Sequence, residues 1–346
     1  MEAFLEQFFS QVHWTMLFAS IAVSLLVLGK AADILVDEAV DLSESLRIPP
    51  MVVGATIVSL GTTAPEAAVS VLAAIEGAPG LALGNSVGSV IADTGLILGL
   101  ACLIAPLKLD PQIVSRQGWI QVGSGVLLVL LSAPWTRLDQ VFTTGGRLSQ
   151  QAGFLLLALL AAYLVLSVRW AGQRRAEHTH PADGGHARAW LTALKLIAAV
   201  AGVIVSAQIV IPGVTEAAVR MSVPDSVIAA TLVAFGTSLP ELVTAVTAAR
   251  RGQGELAVGN VIGADILNVL FVAGASAAVT RQGLEAGPNF FTVLYPAMLF
   301  ILIIFRVGVF ASKDVLRRGF GFVLIAAYVA YVVAGYWFLP EGVPAH

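Results

Sequence analysis

The sequence predicts an all-α integral membrane protein with ten transmembrane helices, arranged as two inverted five-helix repeats. Three observations lead to this fold class. Apolar residues make up 58% of the 346-residue chain and charged residues only 12%, whereas a soluble domain is about half apolar and about a quarter charged. Apolar runs of about 20 residues, the length of a helix that crosses a bilayer, recur along the chain. Finally, one segment of the first half reappears in the second half.

Ten segments have the length and hydropathy of membrane spans. Acidic rather than basic residues precede the first of them, so we interpret it as a retained span and not as a secretory signal peptide. All six tryptophans fall at or near span ends, as an interfacial aromatic belt predicts. The predicted spans are residues 14–36, 49–75, 81–105, 116–134, 152–171, 189–212, 224–249, 256–279, 289–311 and 318–339.

The basic residues predict the orientation. Of the 19 Lys and Arg residues, 15 fall in one set of loops and span ends and four in the other. The positive-inside rule assigns the richer set to the cytoplasm, so both termini are predicted to be extracytoplasmic. The polar segment 172–188 is predicted to be a helix-poor cytoplasmic linker between the halves 1–171 and 189–346. We expect a multi-pass protein of the cell (inner) membrane that is surrounded by lipid and monomeric.

Residues 55–99 and 230–274 form the internal repeat. The register is constant, because Glu66 and Glu241 are 175 positions apart and so are Gly84 and Gly259. One copy occupies spans two and three and the other spans seven and eight. The copies are therefore an odd number of spans apart and cross the membrane in opposite directions. Inverted repeats of this kind are typical of secondary transporters, whose ion sites lie between the halves near the bilayer midplane.

Each copy begins with a carboxylate beside a proline, in GTTAPE (61–66) and GTSLPE (236–241). The proline lacks an N–H, so a backbone carbonyl of the preceding turn loses its partner. Thr62 and Glu66 are four residues apart and share one helix face. Oxygen donors without Cys or His suit Na⁺, Ca²⁺ or Mg²⁺, and acids inside spans usually mark ion paths. These motifs supply the candidate ligands Glu66, Glu241, Thr62, Thr63, Thr237 and Ser238.

A Gly-Asn segment follows in each copy, GNSVGSVIAD (84–93) and GNVIGADILN (259–268). Its small residues allow close helix packing, and its polar residues are either ligands or interhelical hydrogen-bond partners. Ser89 and Asp93 share one face of the first copy. Their counterparts in the second copy are Ala264 and Asn268, whereas Asp265 has an apolar counterpart. The acidic candidates of this segment are Asp93 and Asp265, and the polar ones are Ser89, Asn85 and Asn260.

Several classes of function are disfavoured. No basic stripe suggests a nucleic-acid partner, and the motifs of intramembrane enzymes, such as HExxH or a Ser/Lys pair within the spans, do not occur. We therefore expect neither enzymatic activity nor a cofactor. A cation channel would need a continuous polar pore, whereas the polar residues cluster at one level of the spans. Mg²⁺ is a weaker candidate cargo than Ca²⁺, because it demands tight octahedral geometry and retains its waters.

With these motifs in hand, the sequence resembles the cation/calcium exchanger superfamily and, within it, the prokaryotic sodium/calcium exchangers. The resemblance implies that four helices surround the ions while two long helices slide across them. It implies electrogenic exchange of Ca²⁺ for Na⁺, with Glu66 and Glu241 as shared ligands. It also implies that the hydroxyl or backbone oxygens of Thr62, Thr63, Thr237 and Ser238, and the carbonyls of Ser59 and Ala234, contribute to the site. Ser89 and Asp93 match one flank of this site, and Ala264 and Asn268 match the other.

The sequence departs from that family pattern in one respect. Related exchangers often place the third acid in the eighth span, whereas this chain has Asp93 in span three and Asn268 in span eight. The number of central acids is preserved, but the third acid lies in span three instead of span eight. The coupling ion stays open between Na⁺ and H⁺, because buried carboxyl groups are readily protonated. The sequence thus predicts a Ca²⁺/Na⁺ antiporter that works by alternating access, with Ca²⁺/H⁺ antiport as the alternative.

Overall fold

A computed structural model describes residues 2–177, 185–221, 236–312 and 314–338. Most of the described residues are helical. We number the helices in chain order and treat a helix with a π-helical turn as one element. The helices are α1 (Glu2–Gln11), α2 (Trp14–Leu46), α3 (Pro50–Thr62), α4 (Ala64–Ile75), α5 (Pro79–Ile104), α6 (Pro111–Ser132), α7 (Gln150–Glu177), α8 (Gly185–Arg220), α9 (Leu239–Arg250), α10 (Gly254–Val279), α11 (Phe290–Ser312) and α12 (Arg318–Phe338).

Two small antiparallel sheets lie in the loops. Strand β1 (Leu107–Lys108) pairs with β4 (Val315–Leu316), and β2 (Gly146–Leu148) pairs with β3 (Leu284–Ala286). Each sheet therefore joins a loop of the first half to a loop of the second half. A short helical stretch, Leu138–Gln140 followed by Val141–Thr144, precedes β2.

The helices confirm an all-helical membrane protein. Among the described residues, eight helices are long and apolar enough to cross a membrane, and the count is nine if the pair α3–α4, bent by 44°, forms one span. Nine of the predicted spans coincide with these elements. Part of the remaining one, 224–249, lies outside the described residues, and α9 is its described end. The count of ten spans therefore stays a prediction.

The helices at the predicted linker are longer than expected. Helix α7 continues to Glu177 and α8 begins at Gly185, so the segment 172–188 is helical at both ends rather than helix-poor. Residues 178–184 are outside the described ranges. Hydropathy predicts where the membrane-crossing stretch ends, because polar residues begin there. The helix itself can continue beyond that point, since its backbone hydrogen bonds are internal.

The bend between α3 and α4 follows from the proline of the first motif. Thr63 lies at φ −80° and ψ −4°, and Pro65 occupies the first turn of α4, where its missing N–H is tolerated. The described part of the second copy is similar, with Ser238 at φ −88° and ψ 9° before α9 and Pro240 in the first turn. In both copies the glutamate lies in the first turn of the helix that follows.

Several spans also contain a π-helical turn. The turns lie at Gly54–Val58 in α3, Asp93–Ile97 in α5, Asn268–Ala273 in α10 and Phe290–Leu294 in α11. Asp93 and Asn268 occupy equivalent repeat positions, and each begins such a turn. π-Helical turns occur frequently at functional sites, because they widen the helix and change the direction of its carbonyl groups.

Helix α10 lies at the centre of the bundle. Within its most apolar stretch 94% of residues are buried, compared with 72% in α5 and 17% in α12. A Cβ atom on Gly263 would lie 2.5 Å from the Cα of Ala55, and one on Gly259 would lie 2.3 Å from the Met51 carbonyl oxygen. Only glycine permits this approach of α10 to α3. The contacts advance by four residues on both helices, so α3 and α10 run in the same direction.

Candidate functional site

Glu66 and Glu241 occupy the first turns of α4 and α9 and are 1% and 0% exposed. Their carboxylates lie close enough to interact electrostatically. The Thr63 hydroxyl of the first copy donates a hydrogen bond to Glu241 Oε1 at 3.1 Å. Both oxygens of Glu66, and Oε2 of Glu241, have no hydrogen-bond partner among the described residues. Two such acids side by side in an apolar interior require a cation or a proton between them.

Asp93 and Asn268 form a second pair beside the glutamates. The Asn268 side-chain amide donates to Asp93 Oδ2 at 3.3 Å. The Asp93 carboxylate also interacts with Glu241 and lies beside the hydroxyl of Ser238. Its other oxygen, Oδ1, has no hydrogen-bond partner in the described part of the chain. The two equivalent positions of the repeat thus face each other, one as an acid and the other as an amide.

The kink between α3 and α4 supplies hydroxyl and carbonyl oxygens. The carbonyl of Ser59 accepts hydrogen bonds from the Thr62 hydroxyl at 3.3 Å and from the Thr63 N–H at 2.8 Å. A cation at this carbonyl would therefore replace the contact from Thr62. The Thr62 hydroxyl also lies within reach of Glu241. Ala234, the predicted counterpart of Ser59, is outside the described residues.

Thr237 and Ser89 lie at the flanks of the site. The Thr237 hydroxyl donates to Asn85 Oδ1 at 3.4 Å, and the Asn85 amide donates to Ser70 Oγ at 2.9 Å. This arrangement directs Thr237 towards Asn85. Ser89 is buried at 5% exposure. Asn260, the repeat counterpart of Asn85, is fully buried, and neither its amide nitrogen nor its oxygen has a described partner.

Asp265 belongs to a separate hydrogen-bond network. Its Oδ2 atom accepts from the Thr94 hydroxyl and from the side-chain amide of Gln121 on α6. The same amide lies 3.1 Å from the Thr94 oxygen. Asp265 also interacts electrostatically with Asp93, so this network adjoins the central acids.

Gln121 is one of the residues that sequence reasoning missed. It lies outside the repeats, in α6, and is 1% exposed. A signal for it was present, because Gln117 and Gln121 are four residues apart in a predicted membrane span and therefore share one helix face. Ser86 was also missed. Its hydroxyl donates to the Asn268 carbonyl at 2.6 Å and fixes the π-helical turn of α10.

The four acids of the candidate site, Glu66, Asp93, Glu241 and Asp265, come from four different helices, α4, α5, α9 and α10. The ion pairs observed among the described residues involve other acids and do not neutralise these four. No three His, Cys, Asp or Glu side chains in the described ranges converge as a ready metal cluster. A bound ion would therefore take pairs of carboxylates together with hydroxyl and carbonyl oxygens. That donor set fits Ca²⁺ or Na⁺ rather than Zn²⁺ or copper.

The sequence matches the sodium/calcium exchanger protein family over residues 16–169 and 191–337, which together make up most of the chain. The chain belongs to this family. The resemblance inferred from the two repeated motifs is thereby confirmed. Sodium/calcium exchangers are transporters, which agrees with the absence of enzyme motifs from the sequence.

Two full-length relatives support the assignment to the sodium/calcium exchanger family. The chain is 33% identical to the inner membrane protein YrbG of Escherichia coli over 334 residues, which cover 93% of this chain and 97% of the relative. It is 30% identical to the sodium/calcium exchanger MaX1 of Methanosarcina acetivorans over 350 residues, which cover 92% of this chain and 98% of the relative. The sodium/calcium exchanger fold thus extends over nearly the whole chain.

A solved structure of an exchanger has the same fold. The sodium-calcium exchanger NCX_Mj, soaked with Na⁺ and Sr²⁺, superposes with a TM-score of 0.77 at 25% identity. The superposition covers 93% of this chain and 99% of NCX_Mj. This protein is therefore a multi-pass membrane protein with the helical fold of a sodium/calcium exchanger.

Proposed function

We propose that this protein exchanges Ca²⁺ for Na⁺ across the cell membrane by alternating access, and that Glu66 and Glu241 share the transported cation. The observation that carries the proposal is that these two buried carboxylates, one from each repeat, are close enough to interact electrostatically. Three of their four oxygens have no partner in the described structure. The ions are cargo, so no resident cofactor is required. Both copies belong to one chain, so a monomer is sufficient.

The directions of the helices support two inverted repeats. Helices α2 and α8 contact through Glu38 and Lys195, whose side chains are 2.9 Å apart, and through Ile21 and Gly213. They therefore run antiparallel. Consecutive spans α2 and α3 cross in opposite directions, and α3 runs parallel to α10, so α8 and α10 share a direction. One further span between them, ending in α9, satisfies this requirement and gives ten spans in total.

Competition for the same oxygens explains exchange. With Glu66, Glu241 and Asp93 ionised, a site holding one Ca²⁺ carries a net charge near −1, whereas an empty site would expose three negative charges to an apolar interior. Loaded with Ca²⁺ or with several Na⁺ ions, the site can be closed from both sides. Because one ligand set cannot hold both cargoes at once, each ion leaves when the other binds. The basic-rich ends of the helices lie in the cytoplasm in this proposal, and both termini lie outside.

Proton-coupled exchange is the second candidate, and one observation favours it. The Glu66 carboxylate and Oε2 of Glu241 have no hydrogen-bond partner among the described residues, and the two carboxylates are close enough to interact, an arrangement in which one proton can be shared between them. A Ca²⁺/H⁺ antiporter would use this proton in place of Na⁺. The names of MaX1 and NCX_Mj, both sodium/calcium exchangers, favour Na⁺.

Uptake of ⁴⁵Ca²⁺ into proteoliposomes distinguishes the two ions. We expect an outward Na⁺ gradient to drive uptake, because departing Na⁺ frees the carboxylates for Ca²⁺. A pH gradient of equal size is expected to leave uptake at the level of vesicles without any gradient. Uptake driven by the pH gradient alone would instead establish the proton as the coupling ion and contradict Na⁺ exchange.

A further inference from the structure

We propose that a water-filled branch leads from a cleft between α3, α6 and α7 to Asp265, separate from the region between the two glutamates. The cleft has a volume of about 20 Å³ and is lined by residues that include Pro49, Arg116, Gln117, Ser167 and Trp170. A cavity of this size holds a water molecule when polar groups line it. It opens at the basic-rich end of the bundle, where Arg116 is exposed.

The first wall of the branch is the polar face of α6. Gln117 and Gln121 are 2% and 1% exposed, although they lie in a membrane span. Residues four apart on a helix have Cβ atoms about 5–6 Å from each other, a gap that one water can bridge. Gln117 lines the cleft, and its Oε1 atom has no hydrogen-bond partner in the described structure. Gln121 lies deeper in the span, beyond the cleft, and its Oε1 atom also has no described partner. Buried amide oxygens of this kind usually bind ordered water.

The second wall is α7. The Ser167 hydroxyl lines the cleft, is 1% exposed and has no hydrogen-bond partner among the described residues. Tyr163 lies one turn further along α7, and its hydroxyl donates to the Ala55 carbonyl at 3.0 Å. Ala55 belongs to the π-helical turn of α3 and contacts Gly263, two residues before Asp265. The polar groups of α7 therefore lead to the same turn of α10 as those of α6.

Asp265 lies at the inner end of the branch, where the polar groups of α6 and those of α7 meet. Gln121 donates to its Oδ2 atom, and its Oδ1 atom has no described partner. From the first residue of α6 to Gln121 is about 15 Å along the helix axis, at about 1.5 Å per residue. Burying a carboxylate at that depth is costly unless it is hydrated or paired. Water reaching Asp265 through the branch provides this hydration.

Arg116 determines what the branch admits. Its guanidinium group lies at the mouth of the cleft, 4.5 Å from the centre of the Trp170 ring. A fixed positive charge at a narrow opening repels cations but does not repel water or small anions. Neither Ca²⁺ nor Na⁺ would therefore reach the site by this route. The inference does not depend on which cation is exchanged.

Single cysteine substitutions test the branch, because the only native cysteine, Cys102, is buried and sets the baseline for labelling. In the purified full-length protein, Gln117→Cys and Ser167→Cys are expected to react with a water-soluble methanethiosulfonate at least about tenfold faster than that baseline. A negatively charged reagent is expected to react faster than a positively charged one, because of Arg116. Leu128→Cys, on the same helix but in apolar surroundings, is expected to react no faster than the baseline.

Labelling results also separate this inference from the proposed function. Baseline rates for both Gln117→Cys and Ser167→Cys, in variants that elute as a single monodisperse species, would overturn the branch. Ser167→Cys is nearly isosteric and therefore keeps the test valid if Gln117→Cys fails to fold. A faster reaction with the cationic reagent would contradict exclusion by Arg116. Labelling needs no transport, so a failure of Ca²⁺ exchange would overturn the proposed function and leave the branch intact.

Discussion

Glu66→Gln is expected to lower the rate of Na⁺-driven Ca²⁺ uptake by about 100-fold or more. The substitution preserves the shape of the side chain but removes one of the two facing carboxylates. Two unit charges about 4 Å apart interact by about 4 kcal/mol at an effective dielectric constant of about 20, and each 1.4 kcal/mol is about tenfold in affinity. A divalent cation that loses one of its carboxylates therefore loses most of its affinity. Uptake into proteoliposomes at limiting Ca²⁺ measures the effect.

The same helix offers a matched control. Glu76 follows the last residue of α4 and is exposed, so Glu76→Gln makes the same chemical change away from the buried pair. We expect this variant to exchange Ca²⁺ at the rate of the unmodified protein. Exchange by Glu66→Gln at a rate within about threefold of Glu76→Gln would contradict a role for Glu66 in binding the ion.

Asp93→Asn is expected to reduce exchange by about 10-fold to 100-fold, and the double variant Asp93→Asn/Asn268→Asp is expected to recover much of it. Asp93 and Asn268 contact each other at 3.3 Å and occupy equivalent positions of the repeat. The double substitution swaps the acid and the amide of this hydrogen-bonded pair, so the number of central acids stays constant. A double-mutant cycle on uptake rates measures this coupling between the two positions.

The single variant Asn268→Asp is the control for the exchange of side chains. It adds an acid beside Asp93 without removing one, and the added repulsion is expected to leave it less active than the double variant. If the double variant is no more active than Asp93→Asn alone, then the side of the site on which the acid lies is essential. That result would contradict the expectation that the third carboxylate can occupy either position 93 or position 268.

The membrane fold and the central glutamates could be predicted from the sequence because their signals are local or repeated. Hydropathy identifies each span by itself, and the constant register of the repeat pairs Glu66 with Glu241. The family assignment follows from the same motifs. In the structure the two glutamates are close enough to interact, which is the arrangement predicted from two inverted copies.

The surroundings of the site could not be predicted, because helical periodicity says which residues share a face but not which helix that face meets. Asp265 is an example, since its partner Gln121 comes from α6, outside the repeats. Thr237 looked equivalent to Thr62, yet its hydroxyl donates to Asn85. The π-helical turns that begin at Asp93 and Asn268 also have no marker in the sequence, because they depend on packing against neighbouring helices.

Anomalous diffraction from crystals soaked with Sr²⁺ tests the shared cation most directly. Sr²⁺ is a heavier analogue of Ca²⁺, and crystals of NCX_Mj have been soaked with it. We expect one strong anomalous peak between Glu66 and Glu241, about 2.6 Å from a carboxylate oxygen of each, and we expect excess Na⁺ to remove it. A peak that contacts only one of the two glutamates, or that lies elsewhere in the bundle while this pair binds no ion, would contradict the account.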